Sequence, residues 1–387
     1  MDLDTEEIGK NILNSKNYNG SIFFSEDMTK HTTMKVGGKA DLFVCPKDTF
    51  SCLYALCELK LAGIKTYVLG AGSNVVVDDK GFRGAIISTE NFNEIFVEEF
   101  TGDLAEKFNG KFSDVSGKSF DKNFAEKCAT EKSDDVKLAQ IVCGSGVLVN
   151  NLLEFCEKKG LKTLDKFAGL PASLGGATYM NARCYSVEIR EFISKVEYID
   201  LDELENLLKN QLKNENDKKN FFKNRQNLES VIKIYQNNKD DSSWAYKISP
   251  FTDKNYLITK VCLKADVLCP ENFEKKEDAP FEIQNFLHEE NQKYIQDRTV
   301  KGHFNKPSSG SVFKNNRNFN APSGQLIDEC GLKGTVIGGA EISSWHGNFI
   351  VNNGNACAED IKNLVKLAQT KVKEKFGFNL DCEIIFI

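Results

Sequence analysis

The sequence predicts mixed helices and strands arranged in two or three domains, and three observations lead there. With 387 residues the chain exceeds the span of one ordinary core. Apolar residues recur at helical spacing in some stretches and in short β-branched runs in others. Two strand-and-helix units each run into a loop of small residues, which suggests two lobes facing one extended, phosphate-bearing ligand.

The first unit begins with a helix from Asp48, where Leu53, Leu56, Cys57 and Leu61 share a face and Gly63 supplies the stop. A strand leads into "VLGAGSNVVVDD", Val68 to Asp79. Gly70 and Gly72 match two positions of the dinucleotide fingerprint Gly-x-Gly-x-x-Gly, but Val75 takes the third. Val75-Val76-Val77 then favours a strand where that fingerprint needs a helix. After the turn Asp78-Asp79-Lys80-Gly81 comes a further strand at Ala85-Ile86-Ile87. The unit is strand, glycine loop, strand, and the Rossmann reading fails. Two readings stay open: backbone amides that cradle an anion, or a tight structural turn.

The second unit is "QIVCGSGVLVNNLLEFCEKKGLKTL": a strand, a Gly-Ser-Gly turn, a helix near Val147 to Lys158 and a stop at Gly160. It leads into "DKFAGLPASLGGATYMNA", with Gly169, Pro171, Gly175 and Gly176. The C-terminal third predicts a polar helix around Phe281 to Arg298, then the loop "KPSSGSVFKNN" and the segments "GQLIDECGLKG" and "GNFIVNNGNA". An amphipathic helix carrying Ile361, Leu364, Val365, Ala368 and Val372 stops near Gly377. Residues 91–137 and 203–241 are rich in charged and amide side chains and read as insertions, solvated helices or mobile surface loops. "KNENDKKN" in the second has no usable apolar period.

Composition excludes several function classes. A net charge of -6 argues against a nucleic-acid binder, which carries a basic face. No apolar run reaches the ~18 residues of a membrane span, and "MDLDTEEIGK" lacks the regions of a signal peptide; a cytoplasmic location is expected. The 12 cysteines are scattered without a Cys-x-x-Cys pair, which fits reduced, mostly buried thiols. With four histidines and no Cys/His cluster, no metal site is expected.

Taken together, "TTMKVGGKADLFV", "VLGAGSNVVVDDKGFRGAII", "AGLPASLGGATYMNA", "SSGSVFKN", "GQLIDECGLKG", "IGGAEIS" and "HGNFIVNNGNACAEDI" resemble, in order, the UDP-N-acetylenolpyruvoylglucosamine reductase (MurB) family. The short link before Arg298 resembles the form without the extra substrate-capping tyrosine loop. The resemblance implies an α+β protein: a two-subdomain FAD-binding fold of the vanillyl-alcohol-oxidase type, plus a C-terminal α+β substrate domain. Residues 1–31 would be an N-terminal extension, 32–270 the FAD-binding domain with both insertions, and 281–387 the substrate domain. NADPH would reduce FAD, and the reduced flavin would pass hydride to UDP-N-acetylglucosamine enolpyruvate, giving UDP-N-acetylmuramate for peptidoglycan. A monomer is expected, with no nucleic-acid or membrane partner.

The resemblance also implies site residues. Gly70, Ala71, Gly72, Ser73 and Asn74 would bind the FAD pyrophosphate, the glycines permitting close approach and Ser73 and Asn74 adding side-chain donors. Gly169, Pro171, Gly175 and Gly176 would face the same cofactor. Hydride addition to an enol ether carboxylate needs fixed donors at the developing charge and a proton donor on the face opposite the flavin. Ser311 would give that proton, with Asn315 and Lys314 contacting substrate. Glu383, in "LDCEIIFI", would stabilise the enol or relay the proton. Lys247, in "WAYKISPF", stands where the family has arginine; it keeps the charge but loses the bidentate fork. Arg183, Ala172 and Ile385 are further departures. Two other readings are a catalytically weakened relative that binds FAD or UDP-sugar, favoured by Lys247 and Ile385, and an oxidase of small alcohols, disfavoured by "SSGSVFKN" and "HGNFIVN".

Overall fold

Strand alternation organises the first lobe. A computed structural model describes residues 3–99, 138–211, 222, 226–238 and 240–387. Its N-terminal part runs α1 (Leu3–Leu13), β1 (Gly20–Asp27), β2 (Lys39–Pro46), α2 (Thr49–Leu61), β3 (Thr66–Leu69), β4 (Val75–Val76) and β5 (Phe82–Ser88). Four of these strands form a sheet in the order β1-β2-β5-β3, antiparallel at β1/β2 and parallel elsewhere. Leu42, Val44, Ala85 and Ile87 point to the face that packs on α2, while Phe43, Cys45 and Ile86 point to a second core with Met28, Leu69 and Val77. Residues 3–31, set apart in the sequence as an extension, are built into this lobe: β1 pairs along the length of β2, and Ile12 of α1 is fully buried. Helix α2 is capped by the Asp48 carboxylate on the Ser51 amide, and Gly63 follows at φ 68°. Every residue from Ser51 to Leu59 is buried, so the single apolar face expected for this helix is in fact a buried circumference.

The second lobe is an antiparallel sheet. Its elements are β6 (Ile95–Glu99), β7 (Leu138–Gly144), α3 (Val149–Lys159), β8 (Leu161–Lys162), α4 (Leu174–Tyr179), the hairpin β9 (Arg183–Cys184) and β10 (Val187–Glu188), β11 (Ile193–Asp200), α5 (Leu201–Gln211), β12 (Ile232–Gln236) and β13 (Tyr256–Val267). The order is β12-β11-β13-β7-β6, with β8 on the end of β13. Residues 203–241 are therefore not a solvated insertion throughout. Leu204 and Leu208 of α5, one turn apart, are buried with Leu228 and Val231 against α2, and β12 closes the sheet edge. The residues 91–99 likewise include the paired strand β6. "KNENDKKN" and residues 100–137 lie outside the described residues.

Helix α6 (Phe281–Val300) links to the last part of the chain, yet its buried Leu287, Asn291 and Arg298 face the second lobe: Asn291 donates to Glu157 of α3, and Arg298 to the Ala168 carbonyl. The C-terminal sheet follows, with β14 (Ser308–Ser311), α7 (Ser323–Glu329), β15 (Val336–Ile337), β16 (Ala340–Ile342), β17 (Phe349–Asn352) and α8 (Ala358–Phe376) in strand order β14-β17-β16-β15. Ile361, Leu364, Val365, Ala368 and Val372 of α8 cover it, and Gly377 ends the helix at φ 77°. The final strand β18 (Ile385–Phe386) leaves this sheet and pairs in parallel with β4 of the first lobe. Met34, Val36 and Val76 accordingly share one core with α7 and α8. The Asp78-Asp79 turn completes the junction. The Asp79 carboxylate accepts the Ala358 and Glu359 amides at 2.7 and 3.0 Å, capping α8, and Asp78 pairs with Lys362 at 2.6 Å.

Candidate active site

Where the three sheets meet lies a cavity of about 480 Å³, reached by both glycine segments and by residues of the C-terminal sheet. Its wall includes Gly70 to Asn74, Pro171, Gly175 and Gly176, and also Lys247, Ser311 and Glu383. The fold thus brings the expected cofactor loops and the expected reactive groups to one space.

The Gly70–Asn74 loop connects β3 to β4, and its glycines are required by packing of the protein on itself. A Cβ at Gly70 would lie 2.3 Å from Ser173 Oγ, and at Gly72, where φ is 63°, 2.0 Å from the His31 carbonyl oxygen. Among the described residues, the amides of Ala71, Gly72, Ser73 and Asn74 donate to no protein group. They are left for a ligand or solvent. The Asn74 side chain, expected as a ligand donor, gives its amide instead to the Glu383 carbonyl at 2.9 Å, and the Ile385 amide returns a bond of 2.9 Å to the Asn74 carbonyl. The loop that faces the cavity therefore also fixes the backbone of Glu383.

Glu383 is held from its other side by Ser311's neighbour: its amide donates to the Val312 carbonyl at 2.7 Å. Asn348 ties down the following residue, accepting the Phe313 amide at 2.9 Å and donating to the Phe313 carbonyl at 2.8 Å. Ser311 itself pairs with Phe349 across β14 and β17. Lys247 arrives from the second lobe at a tight turn, where Ala245 and Ile248 exchange two backbone bonds of 3.0 Å. Its φ of 59° is a strained setting for a residue with a side chain, of the kind found at functional sites. The Nζ lies 2.5 Å from Glu383 Oε1, with side-chain exposures of 15% and 9%, so the pair is largely withdrawn from water. Lys247 has a protein carboxylate as its partner, which the sequence did not indicate.

Three expected residues lie off the cavity wall. Gly169, at φ 78°, lets Arg298 and Phe304 approach its Cα, which places it behind the wall. Asn315 accepts the Ser323 amide at the start of α7, and its own amide donates to the Tyr246 hydroxyl at 3.4 Å. The Lys314 carbonyl accepts from Ser323 Oγ at 2.7 Å, and its amide donates to Asp381. Arg183, a departure from the family pattern in the sequence, is on the wall, and sequence reasoning missed Ser145, Cys184, Arg298, Ser309, His303 and His346 there. Only "GSG" at residue 144–146 and the Ser-rich loop at 308–311 carried a signal for two of them. Burial, then the Arg298 guanidinium and the neighbouring His346 ring, push the His303 ring down to about 4, and burial lowers His346 as well. Both imidazoles are neutral near pH 7.

The cavity fits a cofactor with the polarity of FAD. Ser145 Oγ, Ser309 Oγ and His303 Nε2 are buried on its wall without a protein hydrogen-bond partner among the described residues. Such atoms are costly unless a bound group or water satisfies them. The uncommitted amides of residues 71–74 supply donors suited to phosphate.

A Treponema denticola protein named UDP-N-acetylenolpyruvoylglucosamine reductase is 35% identical over 371 residues, covering 95% of this chain and 94% of its own. The chain belongs to the UDP-N-acetylenolpyruvoylglucosamine reductase family. A Borrelia garinii family member is 33% identical, covering 94% of this chain and 92% of its own. Residues 302–387 match the family model described as the C-terminal domain of UDP-N-acetylenolpyruvoylglucosamine reductase. The solved structure of the Thermus caldophilus reductase shares the fold, with a TM-score of 0.59 at 23% identity, over 95% of this chain and 99% of that one. Among the described residues, no helix is long and apolar enough to cross a membrane.

Proposed function

We propose that this chain is an FAD-dependent reductase that converts UDP-N-acetylglucosamine enolpyruvate to UDP-N-acetylmuramate with NADPH, as a cytoplasmic monomer making a peptidoglycan precursor. One observation carries the reading. Ser311, Lys247 and Glu383, distant in sequence, converge on the cavity that both glycine segments line. In this reading residues up to about 270 hold the cofactor and the C-terminal sheet holds the sugar nucleotide.

Bound FAD supplies the hydride carrier between NADPH and the enolpyruvyl group. The amides of residues 71–74 and the hydroxyls of Ser145 and Ser309 would hold its polar parts. Ser311 Oγ gives its proton to the substrate carbon alpha to the carboxylate. Serine is a weak acid, so neighbouring charge must favour the transfer. Glu383, fixed at its amide, its carbonyl and its carboxylate, helps hold the enol form, and Lys247 keeps that carboxylate oriented and its charge balanced. The test is the visible spectrum of the purified protein. Flavin bands should bleach with NADPH and return on adding the enolpyruvyl substrate without oxygen. A colourless protein that takes up no FAD, or a reduced flavin that the substrate leaves unchanged, sinks the reading.

A further inference from the structure

We infer that Arg183 is the guanidinium that binds the substrate carboxylate, an assignment that rests on the reductase reading above. A carboxylate in a site shielded from water needs a positive partner, best a planar fork making two parallel bonds. Lys247 stands in the expected place, but its Nζ is already 2.5 Å from Glu383 Oε1. Of the other cations on the wall, Arg298 is buried, lies over the Tyr185 ring, and has its Nε and one terminal nitrogen committed to the Ala168 carbonyl and the Cys184 sulfur, at 2.9 and 3.2 Å. Lys254 also lines the cavity, but it is exposed to solvent, two residues before β13, and so does not offer a site shielded from water. Arg183 remains. It lines the cavity, and among the described residues its guanidinium has no carboxylate or carbonyl acceptor.

The surroundings of Arg183 hold it in place without taking up its donors. Its guanidinium lies over the Tyr246 ring, 5.6 Å from the centroid. A cation over a ring face is held by electrostatic attraction to the ring, which leaves its N–H donors available. Tyr246 is itself fixed, since its hydroxyl accepts the Asn315 amide from the C-terminal sheet side. The backbone that carries Arg183 is locked to the same turn: Asn181, fully buried, donates to the Ala245 carbonyl at 2.8 Å and to Glu188 at 3.0 Å. One turn, Ala245 to Ile248, therefore presents both the ring that supports Arg183 and the lysine that engages Glu383. The two cations divide the work, Lys247 serving the protein carboxylate and Arg183 the substrate's.

The experiment compares two ligands on the flavin-loaded full chain: the enolpyruvyl substrate and UDP-N-acetylglucosamine, which has the same nucleotide and sugar but no carboxylate. Affinities are read by flavin difference spectra. Wild type should prefer the enolpyruvyl compound, and Arg183→Gln should shrink that preference at least ~30-fold while UDP-N-acetylglucosamine binding and flavin reduction by NADPH hold. Arg183→Lys should lose ~10-fold of it, because the charge stays and the fork goes; this variant decides the matter if the glutamine variant fails to retain flavin. An unchanged preference in the variants assigns the carboxylate elsewhere and overturns the inference while leaving the reductase reading intact. If wild type binds neither UDP-sugar, the reductase reading itself falls, and the assignment with it.

Discussion

Replacing His303 by glutamine should remove a pH-dependent weakness of the folded protein. The imidazole sits on the cavity wall, 4.9 Å between ring centroids from Phe349, with Nε2 buried and unpartnered among the described residues. Burial, Arg298, His346 and Lys301 hold it down to about 4, against an upward pull from Asp297, whereas an unfolded histidine titrates near 6.5. The folded state therefore resists protonation between these values. The contribution is harmless above about pH 6.5, and stability is lost as pH falls from there toward 4, where the unfolded chain binds the extra proton. At about 1.4 kcal/mol per pH unit the difference is at most roughly 3 kcal/mol, and less in practice because the ring is only about half-buried. Urea unfolding of the flavin-free protein from pH 7 to pH 4 measures it. Wild type should lose stability relative to His303→Gln by 1–3 kcal/mol over that range, by the same ~1.4 kcal/mol-per-unit reasoning. Parallel pH curves for the two proteins would refute the argument.

Further outcomes follow from the same geometry. Ser311→Ala should leave flavin reduction by NADPH near normal and slow the reoxidation of flavin by substrate by at least ~10² in stopped flow; equal slowing of both steps would mean a structural role. Asp79→Ala removes two hydrogen bonds to the N-terminus of α8, leaving its Cys357–Asp360 capping box, and should cost about 1–2 kcal/mol, read as a drop in thermal midpoint, whereas Asp79→Asn should lose less. FAD should be bound without a covalent link: acid precipitation should leave the flavin in the supernatant, and yellow pellets would instead point to Cys184, His303 or His346 on the cavity wall.

The motifs were legible because their chemistry is local. Gly63, Gly160 and Gly377 stop helices by a backbone geometry that a single residue announces, and the α8 stripe follows from helical period alone. What the sequence hid depends on who faces whom. The glycines of the first loop were read as room for phosphate, yet the neighbours that demand them are Ser173 and His31. Asn315 reads as a polar loop residue, and only the packed structure shows it supporting Tyr246 and capping α7. Residues 203–241 looked solvated because charges outnumber apolar residues there. Leu204 and Leu208 suffice, since α2 already offers a surface that α5 must cover. His303 and His346 carry no motif; their place on the wall comes from a sheet whose register no local pattern encodes.

The bond between Asn74 and Glu383 joins positions 309 residues apart. Closing so long a loop is entropically expensive and slow compared with forming either lobe's own sheet. The order of assembly then separates two capacities. A chain whose lobes have formed, but whose last strand has not yet docked beside Val75, already presents the amides of residues 71–74, while Glu383 and Lys247 have not met. During folding, the means to hold a cofactor would precede the means to use it, and a half-assembled molecule would be yellow and inert rather than active on the wrong compound.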